Sequence, residues 1–395
     1  MKRPRTGGDD EIARELQAWF PAAARDLPWR THPRNPYHAL VAEVMLQQTQ
    51  VSRVIERFSA FIARFPRVSD LAAADEGQVL AMWSGLGYYR RARHLHAAAR
   101  AIIAEHGGVV PSDPAALRAL PGVGRYTAGA IASIAFGRAE PIVDGNVRRV
   151  LMRLEGRVFA ATDRPGEGDR EADRWAWARA DELVGAATQP GVFNEALMEL
   201  GATVCLPAPA APRCDDCPWR ARCIAKRDGT AGSIPPPKAA ARQRTICCIC
   251  LLARDARGRF AIEQRPATGM WAGLWQLPTI ERDGRWPTAA ALRDWAAMRG
   301  LSLARGAGGA GGAGGGRGGA EPLGEFTHQT THRLVKFRVL AAVPVACRRK
   351  AATRRWVESF DGLGVSSAQE RALALAAGAA AGIAVGTAAM RARVR

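Results

Sequence analysis

Apolar residues recur at three- and four-residue spacing from residue 11 to about residue 204, in segments such as Glu11–Phe20, Tyr37–Phe65, Asp75–Ser84, Arg91–His106 and Asn194–Val204. That period gathers them on one face of successive helices, and the Pro-, Gly- and Asp-containing stretches between them predict the breaks. Residues 226–243, KRDGTAGSIPPPKAAARQ, hold three consecutive prolines and few large apolar side chains. Such a stretch predicts a semi-rigid linker. Beyond it the period changes. TICCICLLA (245–253), a DARG turn and RFAIEQR (259–265) predict a β-hairpin. WQLPTIE and LVKFRVLAAV (334–343) predict further strands, and a helix is expected around 288–299. Residues 306–320 are almost wholly Gly and Ala, a composition that cannot build a core, so a flexible insert is expected there. The expected architecture is an all-α domain over 1–225 and an α/β domain over 244–395.

The length of 395 residues is more than one core usually organises. Hydrophobic residues at 48% and charged residues at 24% exclude a mainly disordered or fibrous chain. Lys and Arg number 56 against 37 Asp and Glu, a net +19. An excess of this size points to a polyanionic partner, nucleic acid first; the alternative is a solvated surface in an Arg-rich proteome. MKRPRTGGDDE has no apolar run after its charges, so no secretory signal and a cytoplasmic location are expected. Ala372–Met390 runs 19 residues without a charge. Its Ala and Gly give little driving force for membrane insertion, and Ser367–Glu370 reads as a capping box, so a terminal helix is expected rather than a span.

Four of the eight cysteines fall in the pattern C-x8-C-x2-C-x5-C: Cys205, Cys214, Cys217 and Cys223. Thiolates bind soft metals, and four suit Zn²⁺ or an iron–sulfur cube. Only one pair is close, unlike a zinc ribbon, but spacing alone does not choose between the metals. Cys247, Cys248 and Cys250 share an apolar run and read as small buried hydrophobes. LPGVGRYTAGAIA (120–132) feeds a Gly122-x-Gly124 turn into an apolar helix. Glycines allow close backbone approach, and the amides at the positive helix end suit a phosphate; the other reading is a plain helix–helix turn. Glu43 lies among Leu40, Val41, Val44, Met45 and Leu46. Facing the core, it would be desolvated and keep its proton, as a general acid must; facing solvent, it is one polar position of an amphipathic helix. Asp144, before Val147–Leu154, is most simply an N-cap, and a helix start keeps it ionised. One protonated and one charged carboxylate suit glycosidic cleavage through an oxocarbenium-like state.

In this order, these features resemble the MutY-type adenine DNA glycosylases of the endonuclease III helix-hairpin-helix superfamily. The matching stretches are DLPWR (26–30), EVMLQQTQV (43–51), GLGYYRRARHLH (85–96), LPGVGRYTAGAIAS (120–133), DGNVRRVL (144–151) and FNEALMELGATVC (193–205). WAGLWQLP (271–278) and FTHQTTH (326–332) more distantly resemble the family's C-terminal MutT-like (Nudix-like) domain. The resemblance implies a monomeric base excision repair enzyme, nucleoid-associated if bacterial. It would act on double-stranded DNA, hydrolysing the N-glycosidic bond of adenine mispaired with 8-oxoguanine, and also with guanine. Glu43 would protonate adenine N7 and Asp144 would stabilise or capture the sugar cation. Tyr126 stands where bifunctional relatives carry a lysine, and a phenol forms no Schiff base. Arg25, Leu27, Trp29, Arg30, Val51 and Glu195 would line the flipped-adenine pocket. Gln48, Thr49, Leu86 and Tyr88 would fill the gap and touch the 8-oxoguanine strand, offsetting the cost of extrusion. Gly122, Val123 and Gly124 would grip the backbone, and Thr331 and His332 would read 8-oxoguanine. Cys205, Cys214, Cys217 and Cys223 would hold a [4Fe–4S] cluster whose loop brings Arg213, Arg220 and Arg222 near DNA.

Three departures stand out. The eight residues between Cys205 and Cys214 (LPAPAAPR) are two more than the family usually has, a lengthening of small entropic cost. Thr330-Thr331-His332 replaces the usual Phe-Ser-His. No acidic Mg²⁺-binding helix is present in 245–395, so the second domain is expected to recognise rather than hydrolyse. Two rivals remain: an endonuclease III-like glycosylase/AP lyase, and a non-catalytic iron–sulfur DNA-binding module.

Overall fold

Asn35 opens a helix where the sequence supplies a cap: its side chain accepts from the amides of Tyr37 (2.9 Å) and His38 (3.2 Å), with Pro36 in the first turn. This computed structural model describes residues 7–159, 166–236, 243–304, 322–330, 332–345 and 354–375. The 306–320 insert and Thr331 lie outside them, as does 376–390 of the uncharged segment. The helices of the first part of the chain are α1 (Gly7–Ala23), α2 (Pro36–Leu46), α3 (Val51–Arg64), α4 (Val68–Ala73), α5 (Glu76–Met82), α6 (Arg90–His106), α7 (Pro114–Ala119), α8 (Arg125–Phe136), α9 (Gly145–Leu154), α10 (Glu167–Ala186), α11 (Pro190–Thr203) and α12 (Ile224–Arg227).

Two compact units form, one of residues 1–74 with 91–239, the other of 75–90 with 240–395. In the first, α1, α8, α9, α10 and α11 close around Leu16, Phe20, Ile142, Val150, Leu183, Phe193, Leu197 and Trp219. The long helical segment expected over Tyr37–Phe65 is two helices. The chain turns between Leu46 and Val51 with Gln48 in the left-handed region (φ 56°). Arg91 on α6 stabilises the break: its guanidinium donates to the carbonyls of Val44 (3.0 Å), Met45 (2.8 Å) and Gln47 and to Thr49 Oγ1 (2.8 Å). These bonds satisfy carbonyls that α2 leaves unpaired at its end. Within α8, Gly129 has no side chain where a Cβ would sit 2.5 Å from the Pro141 carbonyl oxygen. That close approach lays the segment leading to Asp144 against α8.

In the second unit, β1 (Arg244–Ala253), β2 (Phe260–Gln264), β3 (Trp275–Gln276), β4 (Thr279–Asp283), α13 (Ala289–Ala297), β5 (Leu301–Leu303), β6 (Pro322–Gln329), β7 (Arg333–Pro344) and β8 (Arg354–Val357) build two sheets. One has the order β4-β1-β7-β5 with β6 on β7; the other is β3-β2-β8. The expected β1–β2 hairpin does not form. Both edges of β1 are taken, by β7 in parallel and β4 antiparallel, and a lone Arg254–Phe260 bridge is what joins the two segments. Asp255 turns the chain away by accepting from the Arg257 and Arg259 amides, both at 2.9 Å. WQLPTIE likewise divides between the sheets, because Pro278 has no N–H for a ladder. Cys247, Cys248 and Cys250 are buried on β1 as expected, since that strand is covered on both faces. Tyr89 Oη donates to the Val365 carbonyl (2.6 Å), which ties residues 75–90 into this unit. The last described helix spans 367–375 and is capped by Ser366 Oγ, one residue ahead of the expected Ser367. Among the described residues no helix is long and apolar enough to cross a membrane.

Candidate active site

Glu43 faces inward from α2 and is 7% exposed. Burial, then the negative charges of Asp144 and Glu195, push its carboxyl up to about 7, against a hydrogen bond from Tyr126 that favours the anion. Asp144 is the N-cap of α9: Oδ1 accepts from the Val147 amide (2.7 Å) and Oδ2 from Asn146 Nδ2 (3.2 Å). Two donors thus aim at the carboxylate and fix its orientation. A cleft of about 420 Å³ lined by Asp144, Gly145, Arg148, Asp169, Asp173 and Trp177 opens beside it. Tyr126, in the first turn of α8, also points its hydroxyl at Met198 Sδ (2.9 Å). Burial and the Glu43 and Asp144 charges hold its phenol far above the usual range, so it stays a proton donor.

Three of the expected adenine-pocket residues, Arg25, Arg30 and Glu195, meet in an ion-pair network built on two carboxylates four positions apart on α11. Arg30 bridges them, with Nε on Glu195 Oε1 (3.1 Å) and Nη2 on Glu199 Oε2 (2.8 Å). Arg25 clamps Glu199 in a fork at 2.6 and 3.2 Å, and Arg34 Nη2 reaches Glu195 Oε2 at 2.6 Å. Burial pushes Glu199 up, but the Arg25 and Arg30 hydrogen bonds more than offset it and leave the carboxyl below its usual range. Leu27 is buried, Trp29 stands edge-on to Phe58 (5.4 Å between centroids), and Val51 starts α3 half-buried. Glu199, Arg34, Asn146 and Met198 were not anticipated from sequence. The Glu195-x3-Glu199 spacing on an apolar helix is a signal for the first of these; Arg34 carries none.

At the 120–124 turn, Gly122 has φ +78°, and a Cβ there would lie 2.5 Å from His94 Cβ. Val123 is buried, and Gly124 caps α8 with no side-chain hydrogen bond to its first amides. A helix start without a side-chain cap leaves its first amides available to a phosphate. Gln48 (φ 56°) and Tyr88 (φ 46°) are exposed non-glycine residues in the left-handed region, Thr49 is bound by Arg91, and Leu86 is buried. Cys205, Cys214, Cys217 and Cys223 line one small cavity of about 30 Å³ with Arg153, Arg220 and Lys226. Burial pushes the Cys217 thiol up to about 12 and raises Cys214 and Cys223 as well. Arg153 Nη1 donates to Cys205 Sγ at 3.3 Å. Four cysteines and three cationic side chains around one cavity are a donor set suited to an anionic thiolate cluster, although among the described residues no group of three or more His, Cys, Asp or Glu is spaced to hold a single metal ion. Arg222 is engaged by Glu15 (2.6 Å) and Glu11 (3.2 Å) of α1.

A model of the HhH-GPD superfamily of base excision DNA repair proteins matches residues 41–179, and a NUDIX domain model matches 249–375. The adenine DNA glycosylase of Homo sapiens is 33% identical over 427 residues, covering 94% of this chain and 75% of the relative. That of Mycobacterium tuberculosis (strain ATCC 25618 / H37Rv) is 39% identical over 285 residues, covering 71% and 84%. The chain belongs to the adenine DNA glycosylases.

A solved thermostable thymine-DNA glycosylase is 27% identical and covers 56% of this chain and 98% of its own, with a TM-score of 0.48. As an adenine DNA glycosylase the protein is a hydrolase of N-glycosyl bonds that works on DNA. Glu43, Tyr126 and Asp144, the residues expected to be catalytic, lie close enough to one another to interact. In the second unit of the glycosylase, His332 is exposed on a bend before β7 and its carbonyl accepts from the Arg244 amide (3.1 Å), while Thr330 Oγ1 accepts from the Arg333 amide (3.1 Å).

Proposed function

We propose that the substrate is adenine opposite 8-oxoguanine in duplex DNA, with guanine as the second tolerated partner. The observation that carries this reading is the buried Glu43 carboxyl, raised to about 7 and facing Asp144. Glu43 gives its proton to N7 of the extruded adenine, which leaves as a neutral base. Asp144, oriented by Val147 and Asn146, offsets the charge that develops on the sugar, and water completes hydrolysis at C1′. Tyr126 donates to the Glu43 side chain and offers no amine, so the strand is left uncut. Arg30 and Glu195 bound the adenine pocket, and Gln48 and Tyr88 enter the stack. The 244–395 domain reads the 8-oxoguanine side through Thr331 and His332. Cys205, Cys214, Cys217 and Cys223 would hold a [4Fe–4S] cluster, which would cross-link the 205–223 segment and supply a site of electron exchange. The enzyme acts as a monomer.

Single-turnover assays on duplexes with adenine opposite 8-oxoguanine, guanine and thymine test the reading. Adenine release fastest opposite 8-oxoguanine, with no adduct trapped by borohydride, is expected. Equal rates on all three would remove the 8-oxoguanine assignment, and a trapped adduct would favour the lyase rival.

A further inference from the structure

Glu195 is 5% exposed and close enough to Glu43 for its charge to hold the Glu43 proton on. A buried carboxylate needs compensation, and its charge reaches every group around it. Two guanidinium groups meet it, one on each oxygen: Arg30 Nε on Oε1 at 3.1 Å and Arg34 Nη2 on Oε2 at 2.6 Å. Their other bonds differ. Arg30 also serves Glu199 and the Arg25 carbonyl (both 2.8 Å), so it ties the N-terminal loop to α11 whatever Glu195 does. Arg34 is held by Glu195 alone among the described carboxylates, and its Nη1 is buried with no acceptor. Among the described residues the Glu195 ion pair is therefore the bond that fixes this side chain.

We propose that Arg34 is a positioning residue for the glycosidic step, fixing the Glu195 carboxylate in place and offsetting the charge it presents to Glu43. The inference rests on Glu43 acting as the acid. The groups that face Glu43 are Tyr126 from α8, Asp144 at the head of α9 and Glu195 from α11. Of the two carboxylates, Asp144 takes an amide and a carboxamide donor, whereas Glu195 takes two cations. Glu195 is therefore the one whose influence on Glu43 is set by ion pairing. With Arg34 removed, less of the Glu195 charge is neutralised, so Glu43 holds its proton to higher pH.

The test compares wild type, Arg34→Gln, Arg34→Lys, Glu195→Gln and the Arg34→Gln/Glu195→Gln double variant. Single-turnover adenine release is followed against pH on A:8-oxoguanine and A:guanine duplexes. The alkaline limb should rise by about half a pH unit in Arg34→Gln, as for a partly screened charge acting through one neighbour. It should return to the wild-type position in Arg34→Lys, fall in Glu195→Gln, and be unmoved by Arg34→Gln once Glu195 is gone. A rate loss equal at every pH, or the same limb shift with and without Glu195, overturns the proposal. Titration of a ¹³C-labelled Glu43 carboxyl in wild type and Arg34→Gln gives the same comparison without turnover. A failure of Glu43 as the acid is thereby separated from a failure of Arg34 as its regulator.

Discussion

Glu43 is a carboxyl that folding holds in the wrong medium for its charge, and this makes a stability prediction independent of catalysis. Its folded value, about 7, lies above the 4.5 of an unperturbed glutamate. The protonated form is therefore favoured by folding: the stabilisation is complete below pH 4.5 and is lost as pH rises through 7. Glu43→Gln removes that loss. Thermal melting at pH 8 should show the variant more stable by up to about 3 kcal/mol, the worth of a shift of this size, with no difference near pH 4. Asp144 separates along another axis. Asn caps a helix about as well as Asp, so Asp144→Asn should melt close to wild type yet release adenine far more slowly; Asp144→Ala should lose about 1 kcal/mol as well. The sequence left Glu43 open between core and solvent and read Asp144 as an N-cap, and the structure buries the first and caps α9 with the second; their catalytic roles were legible only through the family resemblance. Arg34 was not legible, since nothing local in PRNP says that a residue more than a hundred positions away will place a carboxylate beside it.

At the level of elements, the helical half reads well because its apolar period and its caps agree, as at Asn35 and Asp144. It fails where a distant side chain decides, as when Arg91 collects the carbonyls of Val44, Met45 and Gln47 and splits one expected helix in two. The β1–β2 hairpin failed for a related reason. A turn such as DARG shows where the chain reverses but not which edge is free, and β1 had already spent both edges. The Gly122 turn offers a sharp test of an element. Ala there must adopt φ +78° and meet His94. Gly122→Ala should lower stability by about 1–2 kcal/mol and weaken binding to undamaged and mismatched duplex alike, read by melting and by fluorescence anisotropy.

On the scale of the whole chain, a net charge of +19 makes the partner's phosphates the dominant source of affinity. Duplex binding should fall steeply and linearly on logarithmic axes between about 50 and 200 mM salt, as counterion release requires. The cysteine cavity makes a second prediction at this scale. Its thiols are pushed up by burial, so loading with the proposed [4Fe–4S] cluster would release protons, and Cys217→Ser should weaken the visible absorption band that such a cluster would give and lower the melting temperature. What composition could not show is that residues 75–90 pack with 240–395 rather than with the helices on either side of them in the chain.

Whether the proton carried by Glu43 cleaves the bond decides the mechanism. The direct measurement is the pH dependence of adenine release in one turnover, wild type beside Glu43→Gln, on a duplex bearing A:8-oxoguanine. A wild-type rate that declines as pH rises past about 7, with the variant slower by about 10²–10⁴-fold below that pH and free of the decline, is the predicted result. A variant that released adenine at the wild-type rate would contradict it.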